Sequence, residues 1–240
     1  MRHAIKCLLC LVLLTACPII AHATKLQDML MDIIRVEENN GEIVEILWFP
    51  SHMMAVMLEN DPSVSRAEAR QFLAAIDDYT VMIVVAAEIS DFGNVTAKPR
   101  EQLLSSSRLT VNGIEVPQLE FEDISQEALM AYSMFKPMFA NMLGQLGESV
   151  ELVFYPNTGE YRIDPLEKGL VTYEVLGSEF QWRLPLGSLL PPMIDLETDE
   201  TFPGNYLYNP FTGNKLTPDD TPKKRPEKNS EKKRKADNMI

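Results

Sequence analysis

The spacing of hydrophobic residues predicts several helices. Hydrophobic residues recur every three or four positions over residues 25–37, which is typical of an amphipathic helix. Ser51 can cap a short helix, and the capping box formed by Ser65 and Glu68 predicts another. Residues 125–147 are almost wholly apolar and predict a long helix, which we expect the rest of the domain to enclose.

Other segments have the composition of strands. Residues 43–49 and 80–89 are rich in β-branched and aromatic side chains, and the second segment is apolar at almost every position. A strand of that kind is buried on both faces, so we expect it at the centre of its sheet. Short turns at residues 112–113, 157–159 and 177–178 each separate two strand-like segments and therefore predict three hairpins.

These elements together predict an α+β fold. Tight turns join neighbouring strands antiparallel, so we expect a single, mostly antiparallel twisted sheet with helices packed on one face. Beyond it the sequence becomes rich in proline and predicts a small irregular ribbon-like C-terminal module. The predicted parts are a signal peptide, an α+β domain, a ribbon-like module and a tail, at residues 1–23, 24–186, 187–217 and 218–240.

Residues 1–23 have the pattern of a secretory signal peptide. Arg2 and Lys6 precede an apolar run over residues 7–14, and small residues stand at positions 21 and 23. The run is shorter than a membrane-spanning helix requires, so we expect no transmembrane helix in the mature chain. The predicted location is periplasmic or extracellular.

Two processing routes fit this segment. Cleavage between Ala23 and Thr24 would release the protein, whereas lipidation of Cys17 would anchor it in the envelope. We favour cleavage, because Thr15 and Pro18 are uncommon residues around a lipidated cysteine. In either case the domain works outside the cytoplasm.

Charge is distributed unevenly along the chain. Residues 24–220 hold 12 Lys and Arg against 32 Asp and Glu, whereas residues 221–240 hold 8 against 3. The acidic body should repel nucleic acid and anionic membranes.

The tail has almost no apolar content, so we expect it to be disordered. Its cations could contact anionic envelope polymer, lipid headgroups or the acidic body, and they are Lys223, Lys224, Arg225, Lys232, Lys233, Arg234 and Lys235.

The segment before the tail has the spacing of a zinc ribbon. Such ribbons pair two Cys-x-x-Cys turns, and here Asp195 and Thr198, then Asn209 and Thr212, stand at the cysteine positions. The segment thus resembles a zinc ribbon that lacks its ligand cysteines. With the domain ending at residues 182–192, the chain is similar to uncharacterised secreted bacterial proteins that carry such a pair of turns. One charged and three neutral oxygen-bearing side chains would hold zinc poorly, so we expect a metal-free module and no cofactor.

Few residues of this chain are candidates for catalysis. All three cysteines lie in the first 17 residues, and His52 is the only histidine outside the signal segment. His52 is expected near a helix start, where the helix dipole opposes a positive imidazolium. Ser133 and Lys136 match a Ser-x-x-Lys pattern but lie inside the predicted long helix rather than at its start.

Two alternative functions stay open at this point. Met130, Met134, Met138 and Met142 share a helical face and could bind Cu(I) in a periplasmic copper protein, although such a stripe is typical of core packing. With 32 acidic residues in the body, a carboxylate pair could hydrolyse envelope glycan. The sequence favours a non-enzymatic, exported envelope protein over both, and it identifies neither a ligand nor an oligomeric state.

Overall fold

The structure is a computed structural model that describes residues 22–59, 64–133 and 150–219. The chain divides into two compact units between Leu190 and Pro191, whereas the sequence predicted a boundary at residues 186–187. None of the helices in the described ranges is long and apolar enough to cross a membrane.

Helices and strands alternate along the described residues. The helices are α1 (His22–Ile33), α2 (Ser51–Glu59), α3 (Arg66–Ile76), α4 (Arg100–Ser106) and α5 (Gln126–Ser133). The strands of the N-terminal unit are β1 (Ile34–Asn39), β2 (Glu42–Trp48), β3 (Tyr79–Ile89), β4 (Val95–Ala97), β5 (Arg108–Val111), β6 (Ile114–Val116), β7 (Val150–Pro156), β8 (Gly169–Val175) and β9 (Ser178–Leu184). Those of the C-terminal unit are β10 (Met193–Ile194), β11 (Thr201–Phe202) and β12 (Thr217–Pro218).

The main sheet is built around β3, as the sequence predicted. β3 pairs antiparallel with β2 along one edge, and β7 and β4 share its other edge. Its residues are buried from Thr80 to Ala87 without a break. That burial requires cover on both faces of the sheet.

The two faces of the main sheet are covered by different layers. Neighbouring residues of β7 point to opposite faces, because side chains alternate along a strand. The Phe154 ring lies 5.2 Å from that of Tyr132 on α5, and the Tyr155 ring lies 6.2 Å from that of Tyr173 on β8. Helix α5 therefore packs on one face and a second sheet packs on the other.

The α+β class and the antiparallel pairing are confirmed. The later hairpins do not extend the main sheet, however, but form a second sheet in the order β6-β5-β8-β9. The reason lies in the aromatic side chains between the sheets. Trp48 and Trp182 meet edge to face with ring centres 6.2 Å apart, and the Trp182 Nε1 donates to the carbonyl oxygen of Ile33 at 3.0 Å.

One predicted helix is too long. Residues 34–37 were assigned to the first helix, but α1 ends at Ile33 and residues 34–39 form β1, paired antiparallel with β2. The turn between these strands is Asn40-Gly41, with φ values of 51° and 87°. Asparagine and glycine adopt this left-handed conformation readily. Asn40-Gly41 is therefore a hairpin signal, which the prediction of a helix over residues 25–37 overlooked. A side chain at Gly41 would also meet the carbonyl oxygen of Ile89 at 2.8 Å.

The hairpin predicted around residues 157–159 is wrong. β7 is followed by a short 3-10 helix, Gly159–Tyr161, and not by a returning strand. The Asn157 side chain redirects the chain, since its Oδ1 accepts from the Ile163 amide at 2.8 Å and its Nδ2 donates to the Asp77 carbonyl at 2.9 Å. The hairpins around residues 112–113 and 177–178 are confirmed, the second with its turn one residue earlier.

The apolar helix predicted at residues 125–147 is described only in its first part. α5 spans Gln126–Ser133, and residues 134–147 lie outside the described residues. Within α5, Ala128, Ala131 and Tyr132 are buried, but Met130 is 70% exposed. The expectation that the domain encloses every face of this helix is therefore wrong for its first part.

Removing the aromatic contact between the sheets should destabilise the protein strongly. We expect Trp182→Ala to lower the free energy of unfolding by about 3–5 kcal/mol, because it empties a fully buried site. Trp182→Phe should cost less, since an aromatic ring still fills most of the site while the hydrogen bond to Ile33 and part of the ring volume are lost. Chemical denaturation measures both. The control is Phe92→Ala, at a position 94% exposed, which should stay within about 0.5 kcal/mol of the unmodified chain.

The carboxyl group of Glu45 on β2 should make the stability of the protein depend on pH. Burial raises the pKa of its carboxyl group, so the folded state holds the proton more tightly than the unfolded state does. Its ionisation therefore costs no stability below the unfolded pKa, costs progressively more between the unfolded and the folded pKa, and has its full cost above the folded one. Glu45→Gln should raise the melting temperature at about pH 8 and leave it unchanged at about pH 3. An equal effect at both pH values would contradict this explanation.

Candidate functional site

The C-terminal unit contains two turns with the same hydrogen bonds. In each six-residue turn the first amide donates to the carbonyl of the sixth residue, and the fifth amide donates back to the carbonyl of the first. These bonds measure 2.9 and 2.8 Å in residues 195–200, and 2.8 and 2.8 Å in residues 209–214. The fifth residue has a positive φ in both turns, 58° at Asp199 and 78° at Gly213. The ribbon spacing in the sequence therefore corresponds to a structural repeat.

The side chains at the predicted ligand positions repeat as well. At the first position of each turn, a side-chain oxygen accepts the amide two residues later, Asp195 from Glu197 at 3.0 Å and Asn209 from Phe211 at 2.9 Å. At the fourth position, the hydroxyl oxygen of a threonine accepts the sixth amide, at 3.4 Å for Thr198 and 3.3 Å for Thr212. Oxygen atoms thus stand where a ribbon has thiolate sulfurs.

Asp195 joins the two turns. Its buried carboxylate accepts hydrogen bonds from the Asn209 amide at 2.7 Å, the Thr212 hydroxyl at 3.2 Å and the Asn214 amide at 3.3 Å. These bonds, the Asn209 bond foremost, lower the pKa of Asp195 to about 2. The carboxylate is therefore ionised at neutral pH and serves as the shared acceptor of both turns.

Thr198 completes the set of four predicted positions. Its hydroxyl donates to Glu200 Oε2 at 3.0 Å, and the same oxygen accepts from Asn209 at 3.4 Å. The structure thus brings Asp195, Thr198, Asn209 and Thr212 into one hydrogen-bonded network. Sequence reasoning missed three members, Glu197, Glu200 and Asn214, because it considered only the positions that cysteines would occupy.

This network is better suited to holding the fold than to binding a metal. The amide groups of Asn209 and Asn214 direct hydrogens at Asp195, and a cation there would have to displace both. No group of three or more His, Cys, Asp or Glu that could hold a metal ion occurs within the described ranges. The carboxylate therefore cross-links the two turns.

The N-terminal unit has a shallow depression between α2 and α3. It encloses about 290 Å³ and is lined by Ser51, His52, Ala55, Leu73, Ala74 and Asp77. Ser51 Oγ donates to Asp77 Oδ1 at 2.9 Å, and Arg162 Nη2 lies 3.3 Å from the other oxygen. A serine nucleophile needs a histidine between it and the carboxylate. Here Ser51 bonds the carboxylate directly, so these residues do not form a catalytic triad.

The same helices line a second depression of about 610 Å³, with Glu59, Arg66 and Arg70 as its charged residues. Each of the two depressions therefore contains one carboxylate, Asp77 or Glu59. Glycoside hydrolysis uses two facing carboxyl groups, one of them with a raised pKa. Neither depression supports that chemistry.

Of the methionines that suggested a copper site, Met130 lies in the described part of the chain, where it is exposed on α5. Residues 134–142, which hold the other methionines of the stripe, lie outside the described residues, as does Lys136. Ser133 donates its hydroxyl hydrogen to the Met130 carbonyl at 2.8 Å, a local bond within the helix.

The remaining predicted positions lie at the ends of the chain. Ala23 and Thr24 fall in the first turn of α1. Cys17 lies outside the described residues, and so do the tail cations Lys223, Lys224, Arg225, Lys232, Lys233, Arg234 and Lys235.

Comparison with models of known families, with curated proteins and with solved structures finds no match for this chain.

The Asp195 network should respond to strong acid. Because the folded pKa of Asp195 is lowered, its contribution to stability is present above the unfolded value and is lost as pH falls through about 2. NMR signals of the amides of Glu197 and Phe211 should therefore keep their folded positions at about pH 4 and lose them towards pH 2. Asp195→Asn should perturb these signals already at neutral pH. Unchanged spectra in that variant would contradict the central role of the carboxylate.

The ribbon frame can be tested by restoring its ligands. A variant that combines Asp195→Cys, Thr198→Cys, Asn209→Cys and Thr212→Cys should bind Co²⁺ with the intense visible absorption of a tetrahedral thiolate site, and Zn²⁺ should displace it. The matched control has only Thr198→Cys and Thr212→Cys, and should bind far more weakly because it supplies two thiolates. Equal binding by both variants, or none by the first, would show that the four positions do not surround a common point.

Proposed function

We propose that this chain is an exported, non-enzymatic protein of the bacterial cell envelope that is held there by charge on its C-terminal segment. The division of charge carries this proposal. The body of the chain holds 12 basic against 32 acidic residues, while residues 221–240 hold 8 against 3. The last segment is therefore the part of the chain best able to attract an anionic envelope polymer or anionic lipid headgroups.

Export is supported by the first residues of the chain. Arg2 and Lys6, the apolar run over residues 7–14 and the small residues before Thr24 form the three regions of a secretory signal. Removal of this segment would also remove every cysteine, because all three lie in the first 17 residues. A mature protein without thiols suits an oxidising compartment outside the cytoplasm.

A non-enzymatic role is supported by the chemistry of the described residues. Among the four positions that could hold a metal, Asn209 and Thr212 donate to Asp195, and Thr198 and Asn209 both donate to Glu200. His52 follows Ser51 in the sequence, and the Ser51 hydroxyl bonds the Asp77 carboxylate directly rather than through the histidine. Each depression between α2 and α3 is lined by one carboxylate, so neither holds a facing pair. These features favour a binding or structural role over catalysis.

The tether can be tested by fractionation. A chain that ends at Thr217 should leave the envelope fraction, whereas the full chain should stay with it and be released as salt rises above about 0.1 M, where surface charges are screened within about 10 Å. A full-length variant with Lys223, Lys224, Arg225, Lys232, Lys233, Arg234 and Lys235 changed to Gln should behave like the truncated chain. The control changes Glu227 and Glu231 to Gln and should bind at least as well as the full chain.

Two outcomes bear on the tether itself. If the truncated chain fractionates like the full one at every salt concentration, the basic segment is not the tether. Mass spectrometry of the mature N-terminus then decides how the protein is held. A chain that starts at Thr24 has no lipid anchor, and one that starts at a lipidated Cys17 does not need the tail.

A further inference from the structure

The C-terminal unit exposes an unusual amount of apolar surface. Thirteen large hydrophobic side chains are exposed in the described part of the chain, and five of them lie in residues 191–219. They are Leu196, Tyr206, Leu207, Tyr208 and Phe211. Leu196 is 71% exposed and Phe211 85%. Scattered apolar side chains are ordinary on a protein surface, but a concentration in one small unit marks an interaction site.

Three of these side chains flank the bonded pair at the centre of the unit. Leu196 follows Asp195, Tyr208 precedes Asn209, and Phe211 lies two residues beyond it. Because Asn209 Nδ2 donates to Asp195 Oδ2 at 2.7 Å, the two turns are in contact, which brings the backbone positions of these three exposed residues near one another. We call Leu196, Tyr208 and Phe211 the apolar tip. The hydrogen bonds of both turns fix the backbone that carries it, so a partner would meet a preorganised surface.

The surroundings of the apolar tip are acidic. Glu197, Asp199 and Glu200 are exposed on the first turn. Lys215 is the single basic residue within residues 191–219. A partner must therefore bring apolar side chains for the tip and positive charge for its rim.

We propose that the apolar tip binds a cationic amphipathic segment of another protein. A second copy of this chain would place its own carboxylates against Glu197, Asp199 and Glu200, and an anionic lipid surface would be repelled in the same way. A neutral glycan would bring no positive charge to this acidic rim, and Leu196 offers a sugar no ring on which to stack. The basic tail of the same chain has the charge but almost no apolar side chains to cover the tip. This inference does not depend on how the protein is held in the envelope.

The experiment measures binding of a labelled peptide to the full chain by fluorescence anisotropy. The probe is a short amphipathic peptide of leucine and lysine. We expect the double variant Leu196→Ser, Phe211→Ser to bind it at least about tenfold more weakly, because two apolar anchors are lost. Both side chains are exposed, so the variant should fold normally, which circular dichroism can check. The matched control is Phe92→Ser, at an exposed aromatic of the N-terminal unit, and it should bind like the unmodified chain.

Charge is tested separately. Glu197→Gln with Asp199→Asn keeps the apolar tip and should weaken binding while reducing its dependence on salt. A peptide of serine and lysine should bind weakly, and one of leucine and glutamate should not bind. The proposal is overturned if the Leu196 and Phe211 variant binds like the unmodified chain, or if the serine and lysine peptide binds as tightly as the leucine and lysine one. It is also overturned if a neutral oligosaccharide displaces the bound peptide.

Discussion

The burial of β3 on both faces is the constraint on which the N-terminal unit depends. A strand that is buried from Thr80 to Ala87 cannot lie at the surface of a two-layer fold, because one of its faces would meet water. The chain meets this requirement with helices on one face and a second antiparallel sheet on the other. The contacts of Trp48 with Trp182 and of Tyr155 with Tyr173 hold that second sheet in place. These aromatic pairs therefore set how the three layers stack.

The C-terminal unit solves a different problem. Its strands are two residues long and its buried apolar content is small, so hydrophobic burial alone cannot hold it. Small modules of this kind usually rely on a metal or on disulfides. Here an ionised carboxylate accepts four donors from both turns and supplies the cross-link. The two turns are thereby cross-linked without thiols.

Much of the fold follows from local signals, and the misses have physical causes. The capping box at Ser65, the buried strand β3 and the Asn112-Gly113 hairpin depend on neighbouring residues, so the sequence predicts them well. β1 was missed because its hydrophobic residues continue the spacing of α1. The course of the chain after β7 depends on Asn157 bonding to Asp77, eighty residues away, for which no local pattern exists.

The candidate site likewise contains some residues that the sequence predicts and others that only the folded structure reveals. Asp195, Thr198, Asn209 and Thr212 could be found because each turn is a short local motif with fixed spacing. Glu197, Glu200 and Asn214 bond across to the opposite turn only once the turns have come together, and the sequence gives no sign of these bonds. The bond between Ser51 and Asp77 joins two elements 26 residues apart and likewise has no local signature.

The shared acceptor also constrains how this unit can evolve. The four predicted positions, residues 195, 198, 209 and 212, belong to one hydrogen-bond network. A single replacement by cysteine at any of them removes part of that network without creating a set of metal ligands. A form with cysteines at all four positions would thus be separated from this one by intermediates that have neither cross-link. Selection for a folded unit would then preserve whichever form is already present, whatever the supply of zinc in its surroundings.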